Sequence, residues 1–565
     1  MNYVPLHIHS HFSLWDGLSK PQDIAKRCQE LNATACALTD HGNIAGAIQF
    51  IQALSKHDMQ PILGCELYIC EMSAEVKEEQ NRSLQHLLVY AKNNEGWLEL
   101  IQLISATNHP DNFYYKPRLS IAQINKLPHD NLIFMSGHLG STIHHALDKS
   151  MQHGLILAKY MKEHFHFYLE AQPVGNKMPV AKHLLEQVRE LGNKLNIPCV
   201  ATPDAHYCWK KQADDQRVLL CRGLGNITFQ QAAQKMPAFF DLDDWHIPSY
   251  DEMIQYGATP EELANTIKIK ELCTPYTNIL HSPRLPPFQC PEGYTPDTWL
   301  TELCRRGWRD KIIDKIPQDQ QAVYVSRVKE ELSVLQEAGL SSYFLIIEDI
   351  LNFARKQGWL VGPGRGSAAG CLVSYLLNIT QIDPIKYDLL FTRFYNAGRN
   401  TKDRISMPDI DVDVPAHVRD KIIQYIKDKY GEDKVAQMIS FQTAKGRAAL
   451  KDVLRASGKV SAEVMNTITA NFPEPSKIAT ELQQMKKDRG ISSLILYTLE
   501  NDDAGKLRQW CHINNGQLEG PLASEFQQAI RLEGTKSVQS KHPAGVVIAP
   551  DTLSKLCPMV RDASN

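Results

Sequence analysis

Ser406-Met407-Pro408-Asp409-Ile410-Asp411-Val412-Asp413-Val414 alternates carboxylates with β-branched residues. A period of two is the period of a strand. The stretch therefore predicts Asp409, Asp411 and Asp413 on one face and Ile410, Val412 and Val414 on the other. The apolar face calls for a core. The acidic face sets like charges side by side, which costs energy unless a cation neutralises them. Hard divalent ions such as Mg²⁺ and Mn²⁺ suit such oxygen ligands. A calcium loop of the EF-hand kind fits poorly, because Val414 and Asp420 stand where that loop has Gly and Glu, and Pro415 follows directly.

Upstream lies Val361-Gly362-Pro363-Gly364-Arg365-Gly366-Ser367-Ala368-Ala369-Gly370, then Leu372-Val373-Ser374-Tyr375-Leu376-Leu377. The glycines let the backbone curl round an anion, and Ser367 is placed to cap a following helix whose N-terminus attracts phosphate. It is neither a Walker loop nor a dinucleotide fingerprint, since Gly-Lys-Ser/Thr is missing and the glycines are spaced GxGxG. Alone, a glycine-rich turn before a helix is more often only a turn. Paired with an acidic strand, it reads as a phosphate cradle beside a metal site.

The GPGRGSAAG and SMPDIDVDV segments resemble the bacterial replicative DNA polymerase III alpha subunits, the C-family polymerases, and the resemblance runs from residue 3 almost to the end. It implies a multi-domain α/β chain: an N-terminal PHP (β/α) barrel over 1–280, a polymerase-beta-like nucleotidyltransferase palm of mixed sheet and helices starting at 281–442, a helical thumb at 443–525, and an incomplete palm re-entry at 526–565.

Composition sets bounds. The 565 residues allow about four domains. With 43% apolar residues the chain is globular, and a formal charge of −3 confines any nucleic-acid surface to a local patch. Thirteen cysteines with no CxxC pair argue against a disulfide framework or zinc ribbon and fit a reducing cytoplasm. The start MNYVPLHIHSHF lacks a signal-peptide pattern, and no run of about 18 apolar residues could span a membrane. No membrane partner is expected.

The first domain opens with Tyr3-Val4-Pro5-Leu6-His7-Ile8-His9-Ser10-His11, read as a strand. Strands at Ala35–His41, Gln60–Cys70, His86–Tyr90, Leu132–Met135, Phe167–Leu169 and Cys199–Thr202 alternate with helical stretches, which predicts a parallel sheet closed into a barrel. Chemistry in such barrels sits at the C-terminal strand ends. There the sequence places His7, His9, Asp16, His41, Glu66, His86, His138, Asp204 and His206. One histidine on an apolar strand is usually a core residue, but this succession is not. Imidazole with carboxylate suits zinc, manganese or iron, and clustered ions can bind a phosphate and activate water.

The HIHSHFSLWDG, LTDHGN, GCELY and PDAHY segments resemble the PHP (polymerase and histidinol phosphatase) domain. The resemblance implies that those nine residues hold up to three Zn²⁺ or Mn²⁺ ions. Many polymerase relatives place Cys where His138 stands. Two readings follow: a metal-dependent phosphoesterase, such as a 3′–5′ proofreading exonuclease or a pyrophosphatase, or a structural metal site.

A proline-rich stretch, His281 to Pro291, marks a boundary. Helices follow at about 296–315, capped by Thr295, and 319–338. Arg393 and Arg399 could steer phosphate or pair with carboxylates. Arg447, Lys451 and Arg455 share a helix face, either solvated or resting on the DNA backbone. Lys541 to Pro550 reads as a buried strand similar to the family's palm re-entry.

By resemblance, Asp411 and Asp413 are catalytic carboxylates for two Mg²⁺ ions, with Asp409 outside them. Gly364, Arg365, Gly366, Ser367 and Arg393 hold the incoming dNTP, and Arg447, Lys451 and Arg455 meet primer-template DNA. A third family aspartate has no match after residue 550. The expectation is weak or no polymerisation by this chain alone. The chain would be a fragment, a half whose partner polypeptide supplies the fingers and that aspartate, or a relative working through its PHP site. A non-catalytic primer-template scaffold is a further reading. Sliding-clamp contact would lie in regions beyond this sequence.

Overall fold

The computed structural model describes residues 3–174, 178–279, 284–396, 398 and 407–561. The chain divides into two compact units. One comprises Met1–Ile279, Ile439–Lys541 and Cys557–Asn565; the other comprises Leu280–Met438 and His542–Leu556.

The first unit is built on six strands in sequential order: β1 (Ala35–Leu38), β2 (Gln60–Ile69), β3 (Gln85–Ala91), β4 (Leu132–Met135), β5 (Phe167–Ala171) and β6 (Cys199–Ala201). The sheet is mixed, not parallel, because β3 runs against both β2 and β4. The cause lies partly in the β2–β3 connection. It holds only a short turn at Glu79–Asn81 and no crossover helix, so the chain folds back beside itself. The other pairs are parallel.

The opening segment forms isolated bridges in place of the expected strand. It nevertheless joins the two edges of the sheet. The N–H groups of Ala37 and Thr39 donate to Pro5 O and Ile8 O, both at 2.9 Å. On the other side His9 N–H donates to Ala205 O at 2.8 Å, and Ala205 N–H to His7 O at 3.0 Å.

Alternation sorts the side chains. Val4, Leu6, Ala35, Ala37, Ile62, Leu88, Tyr90, Ile133, Met135 and Val200 form one buried cluster. Their strand neighbours Cys36, Leu38, Leu63, Leu67, Val89 and Phe134 pack with the helices in another. The inward parity continues directly to the polar residues. Ile62 leads to Glu66, Leu88 back to His86, and Val200 on to Asp204. Because β3 is reversed, His86 reaches the same end of the sheet from the start of its strand.

A further core within this unit joins Val218, Leu219, Trp245 and Leu263 to Leu450, Val453, Ile468, Ile495 and Phe526. The helices of 446–532 thus pack on the first domain. Arg531 clamps the buried Asp215 carboxylate with two bonds of 2.7 and 2.8 Å. A small hairpin, β8 (His512–Asn514) and β9 (Gln517–Glu519), interrupts these helices.

In the second unit, residues 284–291 carry no helix or strand. Thr295 caps the helix Pro296–Trp308 in a capping box with Thr298. Helices Gln321–Glu337 and Ser341–Lys356 pack on it around Leu300, Leu335, Phe344 and Leu372. Strands β7 (Val435–Thr443) and β10 (Lys536–Ile548) make a two-stranded ribbon whose residues divide between the two units, only Val435–Met438 and His542–Ile548 falling in the second. Most of β10 is half-buried or exposed, not buried as expected, because it has only one neighbouring strand. All thirteen cysteines are free thiols. Among the described residues no helix is long and apolar enough to cross a membrane.

Glu533 closes one end of the helical core, accepting from Ile495 N–H at 3.1 Å. Burial pushes its carboxyl up to about 7, against the opposing pull of bonds from Ser493 and the nearby backbone and the charge of Lys20. Between the ordinary carboxylate value and about 7 the folded protein holds a proton that the unfolded chain does not. Stability therefore falls as pH rises through that window, by at most about 3 kcal/mol. Glu533→Gln should flatten this part of the profile in urea unfolding from pH 4.5 to 7; an unchanged slope would contradict the assignment.

Candidate functional site

All nine residues singled out in the first domain converge on one buried centre. Glu66, fully buried, is its hub. Its Oε1 lies 2.8 Å from His86 Nδ1 and 2.8 Å from His138 Nε2. Its Oε2 lies 2.8 Å from His41 Nδ1, 3.3 Å from His9 Nε2 and 3.7 Å from His7 Nε2. Asp204 Oδ1 stands 3.3 and 3.4 Å from the Nε2 atoms of His7 and His9. Asp16 Oδ2 meets His41 Nε2 at 2.8 Å and His206 Nε2 at 3.5 Å.

Strand ends and tight turns supply this geometry. His7 and His9 flank the bridge at Ile8, and Asp204 takes a left-handed φ of 48° just after β6. His41 bridges Glu66 directly, and Gly42, with φ of 61°, donates its N–H to Glu66 O at 2.8 Å.

The donor set fits divalent ions. Asp16 Oδ1 is buried without a hydrogen-bond partner, and Glu66 Oε2, Asp204 Oδ1 and His41 Nδ1 are buried with close charged neighbours but no well-aligned hydrogen bond. The Nε2 atoms of His7 and His9 face each other at 3.1 Å, an arrangement that asks for a shared proton or cation. Three overlapping triplets have ligand atoms within 4.8 Å of one another: His9–His41–His206, His7–His9–Glu66 and His41–Glu66–His86. Three carboxylates with imidazoles match borderline and hard metals.

Electrostatics agree. Burial would raise the Glu66 carboxyl, yet His86, His138, His41 and His7 hold it well below the carboxylate range. Burial would lower His41 and His138, yet the carboxylates beside them, Glu66 foremost, lift them to about 10 and about 9. His9 is lowered, by burial and by the neighbouring His41 and His206.

The outer layer escaped the sequence reading. Glu170, at the end of β5, sits 2.7 Å from His7 Nδ1 and takes a bond from Thr202 Oγ1. Its place on an otherwise apolar strand was a usable signal. Asp40 accepts from Ser10 and Ser13, and Ser13 Oγ lies 3.1 Å from His9 Nδ1. Gln172 donates to Asp204 at 3.1 Å. His11, close by in sequence, is buried with neither ring nitrogen partnered and does not join the centre.

The glycine-rich loop and the acidic stretch also meet. Gly362 N–H donates to Asp413 O at 2.9 Å. Arg365 reaches Asp411 Oδ2 through Nη1 at 2.7 Å and Asp413 through Nε at 3.2 Å, so one guanidinium neutralises both carboxylates. Asp409 is exposed and outside this pair, while Ile410 is buried.

The expected strand is not formed at 407–414. Burial alternates there, but the backbone pairs with the loop and with Tyr343 OH and joins no ladder. Gly364 and Gly366 take φ of 91° and 65°. Ser367 lies inside the 3₁₀ turn Gly366–Gly370, whose cap position is Arg365, so it does not cap a helix. Arg393 is exposed on the short helix Phe391–Phe394, which packs against that turn. Ser406 and Arg399 lie outside the described residues.

Arg447, Lys451 and Arg455 share the helix Gly446–Ser457, as read, but each has an internal partner. Arg447 pairs with Glu474 at 2.9 Å, Lys451 with Asn466 at 2.8 Å, and Arg455 with Asn226 at 3.1 Å.

Two family models match the chain in succession: the PHP domain over residues 5–173, and the bacterial DNA polymerase III alpha NTPase domain over 298–565. The DNA polymerase III subunit alpha of Borreliella burgdorferi is 33% identical over 572 residues, covering 99% of this chain and 46% of that protein. This chain belongs to the bacterial DNA polymerase III alpha family. The subunits of Aquifex aeolicus and Thermus aquaticus are 31% and 32% identical, over 99% and 100% of the chain. The chain spans about half the length of these alpha subunits, 49% and 48%. A putative metal-dependent phosphoesterase structure from Bifidobacterium adolescentis is also similar, at 13% identity, with 36% of this chain and 87% of that one covered and a TM-score of 0.23.

Two results should follow for this alpha-family centre. Glu170→Gln removes the charge that orients His7 and should weaken metal affinity about tenfold or more in chelator competition, with helix content unchanged. Since His41 and His138 keep protons up to about 10 and about 9 without ions, metal uptake at pH 7.5 should release protons, and affinity should rise with pH. Uptake without proton release would contradict the charge assignment.

Proposed function

We propose that this chain is the part of a replicative DNA polymerase that bears a hydrolytic metal centre in its first domain and a share of the nucleotidyl-transfer site in its glycine-rich loop. The observation that carries the first half is the convergence of nine potential ligand residues, Glu66 among them, on one centre. A structural ion needs only about four ligands and a closed shell. A centre with overlapping ligand triplets serves phosphoester chemistry better.

His7, His9, Glu66, His86, His138, His41, Asp16, Asp204 and His206 would hold zinc or manganese, Glu66 being placed to bridge. Ions there would neutralise a phosphoryl oxygen and make a bound water acidic enough to attack phosphorus. The protein's own part is orientation. Glu170 fixes the tautomer of His7, and Ser13 with Asp40 fixes that of His9. The substrate class is the 3′ end of a DNA strand, and the product is a nucleoside monophosphate.

In the loop, Asp411 and Asp413 would hold two Mg²⁺ ions. Arg365, half exposed, is the group that turns from these carboxylates to a triphosphate, with Gly364 and Gly366 letting the backbone follow. Nucleotidyl transfer would then rest on positioning and charge neutralisation. Primer-template DNA and dNTPs are the corresponding substrates.

A labelled primer incubated with the purified chain tests both halves on one gel. With Mn²⁺ and no nucleotides, the primer should shorten from its 3′ end. His9→Ala and Glu66→Gln should each abolish shortening, and Asp411→Asn should leave it intact. Shortening that survives His9→Ala, or none at all across Mn²⁺ and Zn²⁺, sinks the hydrolytic reading. With Mg²⁺ and four dNTPs, any extension should vanish in Asp411→Asn; extension that persists would remove Asp411 from the transfer site.

A further inference from the structure

Beside the metal centre, a loop at 109–118 brings aromatic and basic side chains to the rim, and nothing in the sequence marked it. Arg118 anchors it. This guanidinium is wholly buried and donates to the carbonyls of Asn81, Ala74 and Val76, the last at 2.8 Å. Above it lies the Tyr114 ring, 4.8 Å away.

The next residue, Tyr115, adopts φ of 60°, a conformation that bulky residues seldom take, and its side chain is 66% exposed. Tyr114 packs edge-on at 4.6 Å, and the Arg82 guanidinium covers the Tyr115 ring at 4.6 Å. Arg82 also pairs with Glu79 at 3.2 Å, but both are exposed, so that pair holds it weakly.

Lys116 turns the other way, toward the ligands. Its ammonium donates to Tyr68 OH at 2.9 Å and lies 4.4 Å over that ring. Tyr68 in turn stacks on His41, with centroids 5.9 Å apart, and stands edge-on to His86 at 5.4 Å. Burial lowers the Lys116 ammonium from its ordinary value, with Asp16 and Glu66 opposing that shift. Gly42 leaves room for this arrangement: a Cβ there would come within 2.9 Å of the Tyr68 ring.

We propose that Tyr115, Arg82 and Lys116 form a landing platform for the 3′-terminal nucleotides of single-stranded DNA. Tyr115 stacks a base, Arg82 takes a backbone phosphate, and Lys116 with Tyr68 takes the phosphate nearest the metal ligands. An exposed ring flanked by cations matches the alternation of base face and phosphate along a single strand, whereas a duplex keeps its bases stacked inside. The proposal rests on the hydrolytic reading of the centre and names how its substrate is received.

The test uses the whole chain in EDTA, so binding is read without turnover. An oligothymidylate carrying 4-thiothymidine at its 3′ end should crosslink to the 113–118 segment. Tyr115→Ala should weaken binding about tenfold, and Tyr115→Phe should not. Lys116→Ala should reduce the salt dependence of binding by about one counterion. Metal content, measured before EDTA is added, should be unchanged in all three variants. A crosslink mapping elsewhere, or Tyr115→Ala binding as tightly as the parent, overturns the platform. The two failures are separable. Normal crosslinking with no primer shortening under metal defeats the hydrolytic reading alone. Shortening with an unchanged KM in Tyr115→Ala defeats the platform alone.

Discussion

A single buried carboxylate, Glu66, sets the terms for the first unit. Five imidazoles lie within 3.7 Å of its two oxygens, and none of its surface meets water. A lone carboxylate there would be driven to protonate. Imidazolium charge keeps Glu66 ionised. The opening segment, β2, β3 and the chain after β1, β4 and β6 must therefore meet at one point. The reversal of β3 serves this, since it brings His86 opposite Tyr68 and beside Glu66.

The convergence of these side chains was legible because two constraints coincide in several of them. A strand fixes which residues face inward, and metal chemistry fixes which types can stand there. Glu66 and His86 satisfy both on strands, and His7, His9 and Asp204 keep the same inward placement where the chain pairs only by single bridges or turns. The direction of β3 was not legible: a run such as His86-Leu87-Leu88-Val89-Tyr90 reads the same to a parallel or an antiparallel neighbour. Glu170 could have been read, since a carboxylate that continues an apolar strand must find a partner. Lys116 could not. It reaches Tyr68 through a loop whose path depends on Arg118 finding three distant carbonyls, and no periodicity encodes that.

The acidic stretch shows the same limit from the other side. Alternation at 409–414 correctly separates buried Ile410 from exposed Asp409 and Asp413. It does not make a strand, because a strand needs a neighbour whose backbone groups are free. Here the neighbour is a loop with two left-handed glycines, which offers a bond at Gly362 and a guanidinium at Arg365 but no ladder. The side-chain pattern therefore survives while the hydrogen-bond pattern changes.

Arg365 and Lys116 stand in parallel positions. Each is an exposed cation beside a set of carboxylates, and each is held by bonds that an incoming phosphate can replace. Two carboxylates near one guanidinium repel each other less than two alone. On the proposed reading, ions taking over Asp411 and Asp413 would remove the reason for Arg365 to stay, and a phosphate would supply the next partner. At the buried centre the order differs. There Glu66 and Asp204 are neutralised from within by histidines, and Lys116 remains at the rim, bonded only to a phenol. A site built on exposed carboxylates can release its cation readily; one built round Glu66 holds its charges in place whether or not substrate is present. That difference would suit the proposed pair of roles, a transfer site that exchanges ions with each nucleotide and a hydrolytic site that keeps its own.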